Sequence, residues 1–446
     1  MRTARLFIAN RGEIAVRILR TCRELGIESV VGVSSVDRDS LAAELADRAV
    51  VLGGPHASES YLRVGTIIEA ARGTGCDAIH PGYGFLAESP ALAAAAAEHE
   101  LRFVGPPAAV IATAGDKLAA REVATRAGLP IVPGREVATL KEAEQFAAEH
   151  GYPLLLKAAG GGGGRGIKLA GDLEALRRGH ALARAEAGAA FGDERLYIER
   201  LIVAARHIEV QIAADDHGAV IHLGERDCST QRRYQKLVEE APAPRLDSGL
   251  REQLLDAGVA FAAAIGYRNI GTVEFVVDVA ASSFHFLECN CRIQVEHPVT
   301  EAVCGLDLVA LQLAIADGEP LPLHQHEVSF DGHAIECRLV AEDPARDFMP
   351  SPGRVTRFAA PTLPGLRIDT HCRDGTLIPP YYDSLMAKLI AHSTDREGAL
   401  ATLREALGAL EVEGVATNRE LLARIVAAPR FGAGDITTTW LEELLA

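Results

Sequence analysis

The chain has 446 residues, 48% of them hydrophobic and 24% charged, with a formal net charge of −16 at pH 7. Its length is sufficient for about three domains of ~150 residues each, and its acidic balance argues against binding to nucleic acid or to an anionic membrane surface. No apolar run reaches the roughly 18–20 residues of a membrane span, and the apolar stretch before Arg11 is too short for a secretory signal. We therefore expect a cytoplasmic protein with reduced cysteines.

Short apolar strands alternate with helical patterns over the first hundred residues. Strand–helix–strand units of this kind form parallel sheets with right-handed crossovers, so we predict a parallel sheet here. The segment 80–85 follows a strand end, which is where open α/β sheets bind ligands. The predicted elements are strands at 6–9, 29–33, 49–52 and 76–79, and helices at 13–25, 41–46, 64–71 and 93–97.

A second region begins near residue 115 and contains a glycine-rich run at 160–166. The run matches G-x-G-x-x-G, but a strand pattern follows it where a dinucleotide-binding turn requires a helix. We interpret it as a mobile hairpin loop whose backbone N–H groups close over phosphates. A flexible surface loop is the alternative, and Lys157 at the end of the preceding strand favours phosphate binding.

The stretch 288–296, Glu-Cys-Asn-Cys-Arg-Ile-Gln-Val-Glu, alternates polar and apolar residues. As an extended strand it places its polar side chains on one face, and such a face is unfavourable unless charged groups lie against it. Carboxylate and amide oxygens suit Mg²⁺, a guanidinium and an amide suit a small planar oxyanion, and the last carboxylate is placed as a general base. These side chains are Glu288 and Asn290 for the cation, Arg292 and Gln294 for the anion, and Glu296 for the base. A surface strand with paired charges is the alternative interpretation.

A second carboxylate strand lies just upstream, at 271–277. A hairpin turn at 280–283 brings its Glu274 beside Glu288 as a second metal ligand. The charged run 225–236 permits two interpretations, a solvated loop or a source of cations such as Lys236 for an anion site. His207 lies in an alternating strand and shares a face with Glu209, while the stretch 199–202 offers backbone groups to an adenine.

The last 110 or so residues follow a linker-like segment at 320–327. Strands are predicted near 334–340 and 354–358, and helices at 396–410 and 418–426.

Six separated motifs cover nearly the whole chain. They are ANRGEIA at 9–15, HPGYGF at 80–85, KAAGGGGGRG at 157–166, ERDCS at 225–229, RIQVEHP at 292–298 and ECR at 336–338. In this order they resemble biotin carboxylase, the ATP-grasp subunit of biotin-dependent carboxylases such as acetyl-CoA carboxylase, an enzyme of fatty acid biosynthesis.

The resemblance implies a multidomain α/β and α+β protein. It comprises an N-terminal doubly wound parallel sheet (1–114), an ATP-grasp core (115–319) with a mobile glycine-loop lid at about 131–202, and a C-terminal α+β domain (330–446). It further implies ATP-dependent carboxylation of biotin by bicarbonate, with Mg²⁺ or alternatively Mn²⁺. We expect biotin on a separate carrier protein, because the chain lacks a biotinylation sequence, together with a carboxyltransferase partner and a homodimer whose candidate contacts are Arg17, Arg20 and Glu24.

The resemblance also implies roles for individual residues. Those for ATP phosphates are Lys117, Lys157, Gly163, Gly164, His207 and Gln231, those for adenine are Glu199, Arg200 and Ile202, and the ribose position is Tyr234. Those for magnesium are Glu274, Glu288 and Asn290. Those for bicarbonate are Lys236, Arg292, Gln294 and Val295, with Glu296 as base, and those for biotin are Tyr83 and Arg338, with Arg338 stabilising the enolate of its ureido ring.

Four positions depart from the family pattern. Tyr234 stands where His is usual, which puts the ribose contact in doubt, and Arg200 stands where Lys is common. Cys289 and Cys291 replace larger or hydroxylated residues on a buried face. Two alternatives stay open, an ATP-grasp carboxylase for a urea-like or other non-biotin acceptor and a non-catalytic nucleotide-binding paralogue.

Overall fold

A parallel five-stranded sheet forms the first part of the chain, in a computed structural model that describes residues 2–158, 168–191 and 194–445. The strand order is β3-β2-β1-β4-β5, which confirms the predicted parallel sheet. The strands are β1 (Arg5–Ile8), β2 (Glu28–Ser34), β3 (Arg48–Gly53), β4 (Ala78–His80) and β5 (Arg102–Phe103). The helices are α1 (Gly12–Leu25), α2 (Leu41–Leu45), α3 (Val64–Gly73), α4 (Pro90–Glu98) and α5 (Ala108–Gly115).

Strand β1 is buried on both faces, as a doubly wound sheet requires. Ile8 packs in one hydrophobic core with Ile14 of α1, whereas its neighbour Phe7 packs in another with Ile67 of α3. Successive side chains of a strand point to opposite faces, so one continuous apolar strand supports a layer of helices on each side.

A smaller antiparallel sheet, in the order β6-β9-β7-β8, follows this region. Leu154 pairs with Ala170, so β7 and β8 form the two arms of the predicted hairpin. The glycine run between them lies outside the described residues. The elements are α6 (Lys117–Arg126), β6 (Gly134–Val137), α7 (Leu140–His150), β7 (Leu154–Ala158), β8 (Lys168–Ala170), α8 (Leu173–Phe191) and β9 (Leu196–Arg200).

The remainder of the chain supplies a larger antiparallel sheet and its covering helices. Its next elements are β10 (Ala205–Ala214), β11 (Val220–Arg232), β12 (Gln235–Ala241), α9 (Ser248–Ile265), β13 (Asn269–Asp278), β14 (Ser283–Asn290), α10 (His297–Cys304) and α11 (Leu308–Ala316). The C-terminal strands are β15 (His333–Val340), β16 (Glu342–Asp343), β17 (Met349–Pro350), β18 (Gly353–Arg354), β19 (Arg357–Ala359), β20 (Leu366–Thr370), β21 (Leu377–Ile378), β22 (Leu385–Ser393) and β23 (Glu411–Glu413). The C-terminal helices are α12 (Arg396–Ala409), α13 (Arg419–Ala427), α14 (Pro429–Gly432) and α15 (Trp440–Leu445).

Eight strands form this larger sheet, in the order β14-β13-β10-β11-β12-β15-β22-β20. Its first five strands come from the middle of the chain and its last three from the C-terminal region. The junction is the antiparallel pair β12–β15, in which Glu239 is opposite Glu336. The sheet is therefore continuous across the predicted linker at 320–327.

One strand prediction in this sheet is only partly right. The strand predicted at 288–296 ends at Asn290, because the Cys291 N–H donates to the Glu88 carboxylate at 3.1 Å and not to a neighbouring strand. The segment 291–296 is irregular and leads into α10, where Pro298 fits the first turn. Of the two open interpretations of the charged run 225–236, the solvated loop is excluded for residues 225–232, which lie in the buried strand β11.

A second strand prediction, at 354–358, is also only partly right. The structure has two short strands, β18 and β19, which pair with different partners, β21 and β23.

No single helix among residues 2–158, 168–191 and 194–445 is long and apolar enough to cross a membrane. One pair of helices, α10 and α11, meets the length and composition test together, although the two are bent by 95°.

We predict that Phe261→Ala destabilises the protein strongly. Phe261 on α9 is fully buried and stacks on Phe286 of the sheet at 4.7 Å between ring centroids. Truncating a core phenylalanine costs about 3–5 kcal/mol, to be measured as a lower urea midpoint by circular dichroism. Gln253→Ala, an exposed position on the same helix, is the control, and an equal shift in both variants would contradict the assignment.

Candidate functional site

One lysine lies at the centre of a group of buried carboxylates. The Lys236 ammonium donates to Glu209 at 2.6 Å, to Glu274 at 2.9 Å and to Glu296 at 2.7 Å. These residues come from β12, β10, β13 and the segment before α10. Burial alone would lower the pKa of Lys236, but the three carboxylates raise it well above its usual value. The lysine is therefore charged and compensates part of the negative charge.

Strand register brings the carboxylates together. Glu209 on β10 is opposite Glu274 on β13, and Glu274 is in turn opposite Glu288 on β14. Directly opposite residues of antiparallel strands have neighbouring side chains on the same face. The hairpin predicted to bring Glu274 beside Glu288 is therefore present.

Oxygen donors around Glu274 fit a hard divalent cation. The Glu274 carboxylate accepts a hydrogen bond from the Asn290 side-chain amide at 2.8 Å. The side chain of Glu288 makes no hydrogen bond or ion pair within the described part of the chain. Lys236 and His207 hold the pKa of Glu274 well below its usual range despite burial, whereas burial and Glu274 raise that of Glu288. A cation bound between these two carboxylates would relieve their repulsion, and carboxylate and amide oxygens are the ligands that Mg²⁺ prefers.

His207 and Gln231 lie on the edge of the same group. The His207 Nε2 is 2.9 Å from the Glu274 carboxylate, and the Gln231 amide is 2.8 Å from its Nδ1. Burial lowers the pKa of His207, but Glu274 outweighs it and the net shift is upward. Ligand atoms of His207, Glu209 and Glu274 also lie within 4.8 Å of one another, a second possible ligand set.

The residues predicted to bind a small oxyanion follow Asn290 in the irregular segment. Arg292 contacts Glu88 at 3.1 Å and Asn290 at 3.2 Å, and thus remains beside the metal-type ligands. Gln294 donates to Glu274 at 2.9 Å. The Val295 carbonyl accepts a hydrogen bond from the buried Lys388 ammonium at 2.9 Å, which fixes this segment to β22.

Glu296 is held by two cations. Its carboxylate accepts from Lys236 and, at 2.8 Å, from Arg338 on β15. Burial raises the pKa of Glu296, but Lys236 and Arg338 outweigh it and hold the pKa well below the usual range. An ionised carboxylate beside two cations is chemically able to accept a proton from an acid bound next to it.

Tyr83 lies at the junction of the first region with the large sheet. Its hydroxyl donates to Glu13, and the same carboxylate is 3.1 Å from the Lys388 ammonium. Tyr83 and Glu13 line a cavity of ≈ 130 Å³ together with residues such as Asp383. Because Lys388 also contacts Val295, Tyr83 and the oxyanion segment are connected through one buried lysine.

The two lysines predicted to bind phosphate lie near each other. Lys157 on β7 forms an ion pair with Glu199 on the neighbouring strand β9. Lys117 is the first residue of α6, and burial followed by repulsion from Lys157 lowers its pKa, while Glu288 acts in the opposite direction. Lys117 therefore lies within electrostatic range of both Lys157 and the predicted metal ligand Glu288.

Within the described residues, three other predicted nucleotide contacts make no polar contact with the carboxylates around Lys236. These are Arg200, Ile202 and Tyr234. Arg200 is exposed, and Ile202 is half-buried between β9 and β10. Tyr234 is 61% exposed at the tip of the β11–β12 hairpin, where it has a φ of 66°. Gly163 and Gly164 lie outside the described residues.

Comparisons with known proteins cover almost the whole chain. Family models match residues 2–111 (Biotin carboxylase, N-terminal domain), 116–324 (Carbamoyl-phosphate synthase L chain, ATP binding domain) and 336–443 (Biotin carboxylase C-terminal domain). Biotin carboxylase 1 of Bacillus subtilis is 48% identical over 440 residues, which are 98% of each chain. The chain belongs to the biotin carboxylase family. It is accordingly an ATP-dependent ligase that carboxylates biotin.

Solved structures of biotin carboxylases have the same fold. A biotin carboxylase–βγ-ATP complex from Campylobacter jejuni has a TM-score of 0.96 and 41% identity, with 99% of each chain covered. The biotin carboxylase domain dimer of the Hydrogenobacter thermophilus 2-oxoglutarate carboxylase, in complex with MgADP, ADP and bicarbonate, has a TM-score of 0.96 and 44% identity, covering 99% of this chain and 98% of that one.

Sequence reasoning missed several residues that support the site of this biotin carboxylase. Arg226 is fully buried, and the motif that contains it was noted without a role for it. Its signal in the sequence was a guanidinium inside the charged run 225–236, and a cation buried in β11 requires buried partners. Its guanidinium donates to Glu209, Gln211, Thr272, Gln294 and Thr300. The others are Glu13, Glu88, Glu239 and Lys388, whose partners are distant in sequence.

We predict that Arg226→Met, which preserves much of the side-chain volume, destabilises this biotin carboxylase. The change leaves Glu209 without one of its cationic partners in a buried setting, and breaking such a pair costs about 3–5 kcal/mol. The measurement is the thermal unfolding midpoint. Arg178→Met, at an exposed position of α8, is the control and should leave the midpoint nearly unchanged; a stable Arg226→Met protein would show that the buried network is dispensable.

Proposed function

We propose that this chain uses ATP to activate bicarbonate as carboxyphosphate and transfers the carboxyl group to biotin, which is presented on a separate carrier protein. The observation that carries the proposal is the ionised Glu296 between Lys236 and Arg338, next to a group of oxygen ligands. This arrangement supplies a base, an anion-binding surface and a cation site within one buried face. The ATP and bicarbonate named for the two related structures support the same assignment.

The nucleotide is assigned to the cleft between the small and large sheets. Lys117 and Lys157 neutralise phosphate charge, which is the main requirement of phosphoryl transfer together with positioning. His207 and Gln231 complete the phosphate contacts with Gly163 and Gly164 of the glycine loop. Backbone and side-chain groups at Glu199, Arg200 and Ile202 contact the adenine, and Tyr234 takes the ribose position.

Glu274, Glu288 and Asn290 are assigned as magnesium ligands, with Mn²⁺ as an alternative ion. Such an ion supplies charge neutralisation at the phosphate oxygens. The support is the adjacency of two carboxylates with opposite pKa shifts and the oxygen-rich chemistry of the donor set.

Lys236, Arg292, Gln294 and the Val295 backbone bind bicarbonate. Glu296 accepts the bicarbonate proton as a bicarbonate oxygen attacks the γ-phosphorus, and the bond from that phosphorus to the ADP oxygen breaks. The product is carboxyphosphate, which separates into CO₂ and phosphate beside biotin. Closure of the glycine loop excludes water from this intermediate.

Arg338 and Tyr83 bind biotin. The phosphate released from carboxyphosphate accepts the ureido N–H proton, which gives an enolate-like ring whose oxygen carries negative charge, and the Arg338 guanidinium stabilises that oxygen. The ureido nitrogen then forms the bond to the carbon of CO₂. The 2.8 Å contact of Arg338 with Glu296 supports the placement of biotin next to the bicarbonate residues.

The proposal also includes a biotin carrier protein, a carboxyltransferase and a homodimer. A carboxyltransferase receives the carboxyl group, and its acceptor, an acyl-CoA or another acid, remains open. A homodimer is supported by the dimer named for the Hydrogenobacter structure. Arg20 and Glu24 are exposed on α1 and remain candidate contacts, but Arg17 is not, because Glu301 and Asp307 hold it inside the same chain. The domain limits 1–114, 115–319 and 330–446 also remain proposals.

The decisive experiment is an assay of ADP release with and without bicarbonate and free biotin. We expect bicarbonate-dependent ADP release that free biotin stimulates, because biotin removes the product of bicarbonate activation. Phosphate release that responds to a urea-like compound and not to biotin would instead identify a different acceptor. Nucleotide binding by calorimetry without any turnover would contradict a catalytic role.

We predict that Glu296→Gln nearly abolishes turnover while ATP binding stays close to unchanged. The amide retains the shape of the side chain but cannot accept the bicarbonate proton, and loss of a general base costs about 10²–10⁴-fold in rate. The measurements are kcat by ADP release and ATP affinity by calorimetry. Equal losses in turnover and in ATP affinity would mean that the base assignment is wrong.

A further inference from the structure

Arg338 contacts two carboxylates that come from different parts of the chain. Its Nη2 donates to Glu296 at 2.8 Å, and its Nε is 2.6 Å from Glu239 Oε1 on the adjacent strand β12. Glu239 is completely buried, and neither of its carboxylate oxygens makes an aligned hydrogen bond within the described residues. Its contact with Arg338 is therefore an ion pair without an aligned hydrogen bond.

The two carboxylates differ in what catalysis does to them. Glu296, as the proposed base, receives a proton and becomes neutral, so it loses most of its attraction for the guanidinium. Glu239 is not among the residues proposed to bind bicarbonate and receives no proton from it. At the stage when biotin is carboxylated, Glu239 is then the carboxylate that still orients Arg338.

We propose that Glu239 is a positioning residue, which holds the Arg338 guanidinium towards biotin while Glu296 carries the bicarbonate proton. This inference rests on the proposed function of Glu296 and Arg338 and adds a separate requirement to it. It assigns Glu239 to the biotin half of the reaction and not to the activation of bicarbonate.

A neighbouring carboxyl group supports the assignment by contrast. Glu336 is cross-strand to Glu239, equally buried, and likewise has no hydrogen-bond partner within the described residues. Burial raises the pKa of Glu336 well above its usual range, and this carboxyl forms no ion pair with Arg338 within the described residues. Burial also raises the pKa of Glu239, but Arg338 opposes it and the result is about 7. The charge of Glu296 is among the causes that raise the pKa of Glu239, so protonation of Glu296 favours the charged form of Glu239.

The test compares Glu239→Gln with Glu336→Gln, two changes of identical shape on adjacent strands. Two rates are measured for each, bicarbonate-dependent ADP release without biotin and its stimulation by free biotin. For Glu239→Gln we expect kcat/KM for biotin to fall by about 100-fold, as misplacement of a reacting group does, while ADP release without biotin stays within about twofold. Glu336→Gln, which changes a buried carboxyl group that forms no ion pair with Arg338 within the described residues, should leave both rates within about twofold of wild type.

A charge-preserving change provides rescue. Glu239→Asp keeps the carboxylate but shortens it, so its kcat/KM for biotin should lie between those of wild type and Glu239→Gln. This variant also replaces Glu239→Gln if the latter fails to fold, as checked by circular dichroism. The expected defect is then a higher KM for biotin with unchanged ADP release in its absence.

Three outcomes overturn the inference. These are unchanged biotin kinetics in Glu239→Gln or, if that variant does not fold, in Glu239→Asp; an equal loss of both rates, which indicates a structural role; and an equal biotin defect in Glu336→Gln. Failure of the proposed function is distinguishable, because wild-type protein itself would then show no stimulation by biotin.

Discussion

The shared contact of Lys236 with three carboxylates determines much of the architecture around it. Glu209, Glu274 and Glu296 arrive from separate elements, and without a common cation their mutual repulsion and desolvation would oppose folding. Arg226 reinforces the lysine from β11, where its guanidinium bonds to Glu209 and to four neutral polar side chains. A continuous network of buried charges therefore connects four consecutive strands of the sheet, β13, β10, β11 and β12, and the same charges supply the catalytic groups.

Environment gives chemically identical side chains different properties on this face. Lys236 and Arg338 keep Glu296 ionised, and Lys236 and His207 do the same for Glu274. Burial without an adequate cation raises the pKa of Glu288 and that of Glu336. A base, a cation site and carboxyl groups with raised pKa values thus lie close together because their neighbours differ, which is how active sites separate acid and base roles.

Local pattern predicted most of the fold but only part of the site. The strand–helix rhythm of the first region and the hairpin that pairs Glu274 with Glu288 are properties of short segments, and both are confirmed. The alternation at 288–296 indicated a strand, but the chain leaves the sheet at Asn290 because a distant carboxylate, Glu88, takes the next N–H. Glu239 and Lys388 were missed for the same reason, since their partners are far away in sequence. A buried charge in the sequence indicates that a partner is needed, but it does not indicate which residue provides that partner.

The β12–β15 junction makes the two halves of the large sheet mutually dependent. If the C-terminal region is separated from the rest, the inner edge of β12 loses its ladder partner and the apolar side chains Leu237 and Val238 lose the core they pack against. Unprotected edges of this kind recruit strands from other molecules. The C-terminal region thus covers an edge of the ATP-grasp core that would otherwise be open to self-association, in addition to supplying Arg338.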